Sequence, residues 1–134
     1  MDDRGRLVWC YSRTNCEVAK FPPLHTTSRL TNPSKIAAHI SEAAPKEKTI
    51  VVDTFAGVGG NTIALALSGR WERVFAIEKD PKTMKCAKHN AEIYGVSGKI
   101  VWLTGDCFEV INRFAGSKNV VIFASPPWGG KLYE

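Results

Sequence analysis

The chain has 134 residues, 44% of them hydrophobic, which fits one domain with a buried core and excludes wholesale disorder. Eighteen Lys and Arg stand against 13 Asp and Glu, a net charge of +5. This mild basic excess suits a polyanionic partner such as RNA without requiring one.

The four cysteines (Cys10, Cys16, Cys86 and Cys107) form no C-x-x-C pair, and His25, His39 and His89 show no ligand spacing against them. Neither a zinc site nor a disulfide framework is expected, and the thiols are read as reduced. The start, Met1-Asp2-Asp3-Arg4, has no apolar stretch behind it, and no apolar run approaches bilayer length. A soluble protein of the nucleus or cytoplasm, without a membrane partner, is expected.

Residues 1–30 hold Trp9, Tyr11, Phe21 and Pro22-Pro23 without a sustained period, and read as an irregular arm with a short strand at 7–11. Asn32-Pro33 is a cap and first-helical-position pair. Ile36, Ala37, Ile40 and Ala44 then mark one helix face, which stops before Pro45. Residues 49–52 are a β-branched run typical of a strand buried on both faces. A glycine turn follows, then a helix at 62–67 ended by Gly69.

Residues 73–77 read as the second strand. Asp80-Pro81 caps the next helix, with Met84, Ala87, Ala91 and Tyr94 inward and Gly95 as its stop. A strand at 100–103, a helix at 108–114 and a strand at 120–124 complete the pattern. Such alternation predicts an α/β fold with a parallel sheet, and right-handed crossovers give the strand order 3-2-1-4. The switch point lies between the first and fourth strands of that sheet, and ligands bind there at the strands' carboxyl ends.

Four features fall at that edge. In Gly57-Val58-Gly59-Gly60 the glycines let the backbone turn sharply and approach a ligand, and Asn61 and Thr62 open a helix whose free N–H groups favour an anion. Glu78 ends the second strand about twenty residues further on, where an acid accepts hydrogen bonds from ribose hydroxyls. Gly105-Asp106 ends the third strand, and its carboxylate can either accept from an adenine amino group or cap the following helix. Ser125-Pro126-Pro127-Trp128 is a rigid turn whose free carbonyls can hold an exocyclic amino group while the indole stacks on a base. A dinucleotide turn would place glycine at position 62, which is Thr62. A methyl donor with a nucleobase acceptor accounts for both that threonine and the Pro-Pro-Trp turn.

Residues 51–60, Asn90-Ala91-Glu92-Ile93-Tyr94-Gly95-Val96, Gly105-Asp106 and residues 125–130 together resemble the trimethylguanosine synthase family, the RNA cap hypermethylases. The stretches Gly57-Val58-Gly59-Gly60-Asn61-Thr62-Ile63 and Ser-Pro-Pro-Trp-Gly-Gly carry most of the likeness, which covers residues 31–134. The resemblance implies a Rossmann-like class I methyltransferase fold, with S-adenosylmethionine as cofactor and methyl transfer to guanine N2 of a 7-methylguanosine cap. It implies capped RNA (small nuclear or nucleolar) as partner, in the nucleus, nucleolus or related bodies, or in the cytoplasm. Asp53, Gly57 and Asn61 would lie at the methionine end of the cofactor, Glu78 at its ribose and Asp106 on the adenine side, with Phe55, Gly59, Thr62, Lys79, Cys107 and Ser125 also in the cofactor site. Ser125 and Pro126 would position N2. Trp128 would stack on the cationic base, with Pro126, Asn61 and Lys131 completing the substrate side.

The sequence departs from the family where Ser28 and Arg29 replace Trp-Phe, Glu78 replaces Asp and Lys131 replaces Pro. A full sheet of this class would have further strands after 120–124, so residues 31–134 are expected to form a partial methyltransferase domain, completed by missing C-terminal strands or a protein partner. Two other readings stay open: an adenine-N6 or rRNA guanine-N2 methyltransferase, and a non-catalytic module that binds cofactor or cap.

Overall fold

In the computed structural model, residues 33–126 are described in full, and Val8–Cys10 and Val18–Lys20 by their backbone alone. These two short segments, β1 and β2, pair antiparallel with Trp9 opposite Ala19. The arm expected to be irregular therefore contains a strand pair, of which only the first strand was anticipated.

Helix α1 (Pro33–Ala43) buries Ala37 and packs Ile40 on the core. Strand β3 (Ile50–Asp53) is followed by α2 (Gly60–Leu67), β4 (Arg73–Glu78) and α3 (Pro81–Ile93). Then come β5 (Ile100–Thr104), a short helix α4 (Cys107–Val110) and β6 (Val120–Phe123). The four strands β3 to β6 form one parallel sheet in the order β5-β4-β3-β6, the predicted 3-2-1-4. In β3, Val51 joins the core beneath α1, α2 and α3, while Val52 joins Ile77 and Val110 on the opposite face. Adjacent residues of a strand point to opposite faces, so a strand covered on both sides reads as a continuous apolar run.

Two helices begin or end differently from expectation. Helix α2 starts at Gly60, because Gly59 (φ 92°) serves as a cap without a side chain. The helix expected over 108–114 is one α-turn continued by a 3-10 segment, Ile111–Phe114. Phe114, at the end of this segment, lies edge-on to Phe75, with ring centroids 4.9 Å apart.

Helix α3 is capped as predicted. The Asp80 carboxylate accepts from the Thr83 N–H at 2.9 Å and the Thr83 hydroxyl at 2.6 Å, Pro81 occupies the first turn, and Met84, Ala87 and Ala91 are buried. Cys86 on this helix is disulfide-bonded, which corrects the expectation of four reduced thiols; its partner lies outside the described side chains. Among the described residues no helix is long and apolar enough to cross a membrane.

Candidate functional site

The turn between β3 and α2 is tied to both neighbouring strands. Ala56 N–H donates to the Ile77 carbonyl of β4 at 2.9 Å, and both the N–H and the hydroxyl of Thr54 donate to the Phe123 carbonyl of β6 at 3.0 Å. Helix α3 presses on the turn from beneath. Gly59 lies so close to Ala87 that a Cβ at position 59 would sit 3.3 Å from the Ala87 Cβ. The buried Asn90 donates through Nδ2 to the Val58 carbonyl at 2.9 Å. The turn is thus a rigid ledge, and α2 leaves it with no side-chain cap at its amino end. First-turn N–H groups without such a cap are available to an anionic or polar ligand.

Glu78, at the end of β4, faces the same place. Its Oε2 accepts from Gly57 N–H at 2.9 Å and its Oε1 from Asp80 N–H at 3.0 Å. Each carboxylate oxygen keeps a further lone pair for a hydroxyl donor. Phe55, Gly57, Glu78, Lys79, Asp80, Pro81 and Ser125 line a cavity of about 680 Å³. This volume falls in the range that holds nucleoside-sized ligands.

The predicted site residues thus divide into distinct groups. Phe55, Gly57, Glu78, Lys79 and Ser125 come together on the cavity wall, although they derive from three separate strand ends. Asp80 and Pro81 also line it, although the sequence reading gave them only a helix-capping role. Their position directly after Glu78 was the available signal.

Asp53 and Thr62 are fully buried behind the turn rather than on the wall. The Thr62 hydroxyl donates to Asp53 Oδ2 at 2.7 Å, and Phe55 N–H donates to Oδ1 at 3.3 Å. Burial pushes the Asp53 carboxyl up from 3.8 to about 6, against the lowering effect of these bonds. Gly59 is packed on α3, and Asn61 is half-buried without lining the cavity.

Asp106 takes the capping alternative, accepting from Phe108 N–H at 2.9 Å, and its other oxygen lies 3.9 Å from the Lys79 ammonium. Cys107, next to it, is a half-buried free thiol whose pKa is raised by burial and by the Asp106 charge. Pro126 is half-buried beside Ser125 and does not line the cavity. Trp128 and Lys131, and with them the stacking platform, lie outside the described residues.

Residues 48–134 match the family model described as RNA cap guanine-N2 methyltransferase. The trimethylguanosine synthase of Schizosaccharomyces pombe is 37% identical over 107 residues, covering 76% of this chain and 44% of that protein. That of Saccharomyces cerevisiae is 30% identical over 106 residues, covering 75% of this chain and 33% of that protein. The chain therefore spans less than half the length of these curated relatives. Among solved structures, an RNA methyltransferase from Salinibacter ruber in complex with S-adenosyl-L-homocysteine superposes with a TM-score of 0.50. It is 25% identical, over 62% of this chain and 52% of that one. The parallel sheet in 3-2-1-4 order, the ledge and acid at the carboxyl ends of its strands and the match over residues 48–134 agree, and the chain belongs to the RNA cap guanine-N2 methyltransferase family.

Proposed function

We propose that this chain forms the cofactor-binding half of an enzyme that methylates guanine N2 of a 7-methylguanosine RNA cap, giving 2,2,7-trimethylguanosine. The observation that carries the reading is the Glu78 carboxylate, fixed by two backbone N–H groups on the wall of a nucleoside-sized cavity that also reaches Ser125. S-adenosylmethionine, when bound, supplies a methyl group already activated on a sulfonium.

The protein's share of the work is binding and orientation. Glu78 accepts from the ribose hydroxyls, and Phe55 and Gly57 border the path toward the methionine end. Asp53, Gly59 and Thr62 act from behind, by holding the ledge, and Asn61 opens the helix beside it. Lys79, Asp106 and Cys107 flank the adenine side. Ser125 and Pro126 hold N2 in line, and we assign Trp128 to stacking on the cationic base and Lys131 to the substrate side. With the cofactor bound, the methyl would pass from its sulfonium to N2, and the surplus N2 proton would leave to solvent. Such positioning supplies most of the acceleration, so no dedicated base is assigned. We place the substrates among small nuclear and nucleolar RNAs, and the protein in the nucleus, the nucleolus or related bodies, or the cytoplasm.

Calorimetry of the chain saturated with S-adenosylhomocysteine tests the reading. 7-methyl-GTP is expected to bind more tightly than GTP, and Trp128→Ala to erase the difference. Equal affinities for the two nucleotides reject the cap assignment. Methyl transfer from radiolabelled cofactor to uncapped RNA, at adenine N6 or internal guanine, moves the chain to another amino methyltransferase specificity.

A further inference from the structure

Helix α3 leaves the cavity wall at Pro81 and carries Lys82, Lys85 and Lys88, all exposed. Residues three apart are neighbours on a helix surface, so the three ammonium groups follow one flank over about 9 Å. Lys79, itself on the cavity wall with an 81% exposed side chain, extends the row to the site.

The arrangement runs against what a helix asks for. The first turn of α3 contains no acidic residue and the last turn no basic one. A helix amino end favours negative charge, and like charges three apart repel. Asp80, the carboxylate at this end of the helix, is already held by the N–H and hydroxyl of Thr83, and Glu92 stands one turn beyond Lys88 at the other end. A lysine in the first turn and like charges at three-residue spacing work against the helix, and a regular polyanion outside it would offset both.

We propose that the Lys82–Lys85–Lys88 flank of α3 is a docking strip for the phosphate backbone of the RNA body, reaching from the mouth of the cavity along the helix. This rests on the cap-methylation reading for its substrate. The strip engages RNA phosphates by charge, so it raises affinity for the RNA without reading its sequence. No large apolar side chain interrupts the row to enter a lipid surface, and the exposed Ile93 lies at the far end of the helix.

The test compares the wild-type chain with a Lys82→Glu/Lys85→Glu/Lys88→Glu variant and its gentler Lys→Gln counterpart. The probes are a capped single-stranded RNA of about twenty nucleotides and a cap dinucleotide, titrated over a salt series. For the long RNA, the slope of log K against log salt should shrink by about 2 in the variants, at roughly 0.7 per lost phosphate contact. Affinity at low salt should fall by at least about tenfold, while binding of the cap dinucleotide and of S-adenosylhomocysteine stays unchanged. An unchanged slope in both variants overturns the strip. So does a variant that loses polyglutamate and RNA binding equally, because that assigns the strip to acidic protein. If the wild type ignores the cap and the variants still lose the salt slope, the cap reading falls and the strip stands.

Discussion

Replacing Asp53 by Asn separates the charge of this carboxyl from the hydrogen bonds it accepts. Asp53 has no solvent exposure, and burial lifts its pKa from 3.8 to about 6, with a smaller upward push from the Glu78 charge. The folded chain therefore keeps a proton there over a pH range in which the unfolded chain has released it. The stabilisation is fully present below about 3.8 and is lost as the pH rises through about 6. At 1.36 kcal/mol per pH unit the interval amounts to roughly 3 kcal/mol. Asn does not titrate, and its single acceptor oxygen forfeits one of the two bonds from Thr62 and Phe55, a pH-independent loss of about 1 kcal/mol. Urea unfolding of both proteins from about pH 4 to about pH 7 should show the stability difference moving in favour of Asp53→Asn by roughly 2 kcal/mol, most of that interval. Parallel pH profiles would refute the reasoning. A slope of opposite sign would mean that the turn's donors stabilise the anion more than burial penalises it.

Four further substitutions probe the ledge and the acid. Gly59→Ala combines a φ of 92° with contacts of 3.3 Å to Ala87 and Ile63, and should cost about 2–4 kcal/mol in chemical denaturation. Gly57→Ala, at φ 55° with nothing within 4 Å, should cost only about 1–2 kcal/mol, and equal losses at the two positions would contradict the packing account. Glu78→Gln should weaken S-adenosylhomocysteine binding about 10- to 100-fold in calorimetry, since its amide opposes one of the two N–H groups the carboxylate accepts. Asn90→Ala leaves the Val58 carbonyl without its side-chain donor, and should lower stability by about 1–3 kcal/mol while reducing cofactor affinity through the displaced turn.

The sheet was legible in the sequence because each parallel strand is a short apolar run bounded by a turn or cap, and because crossover handedness leaves few orders for four such strands. The positions of Gly57, Glu78 and Ser125 followed from that order, since they sit at the carboxyl ends of β3, β4 and β6. Side-chain direction was not legible. Asp53 and Phe55 are two residues apart, yet one supports the turn from inside and the other lines the cavity, because the chain leaves the strand between them. Asp106 offered two roles of equal plausibility, and an N–H two residues ahead decided for the cap. Asp80 was read as a cap and is also a wall residue, a dual use that a linear pattern does not reveal. The bond at Cys86 needs tertiary proximity that spacing alone does not encode.

The register of β3 has a consequence for the order in which the molecule assembles. Ile50 pairs with Arg73 on one side and with Val120 on the other, and across the second pairing Asn119 and Thr49 meet 70 positions apart. Closing the longer loop demands more chain entropy, so the β3–α2–β4 unit has the kinetic advantage and β6 docks onto it later. The ledge and Glu78 belong to the early unit, while Ser125 arrives with β6. In a nascent or partly opened chain the ledge and Glu78 therefore outlive the β6 edge that carries Ser125 and closes the cavity. Hydrogen exchange along β6, slower to form and quicker to open, is where that hierarchy would be written.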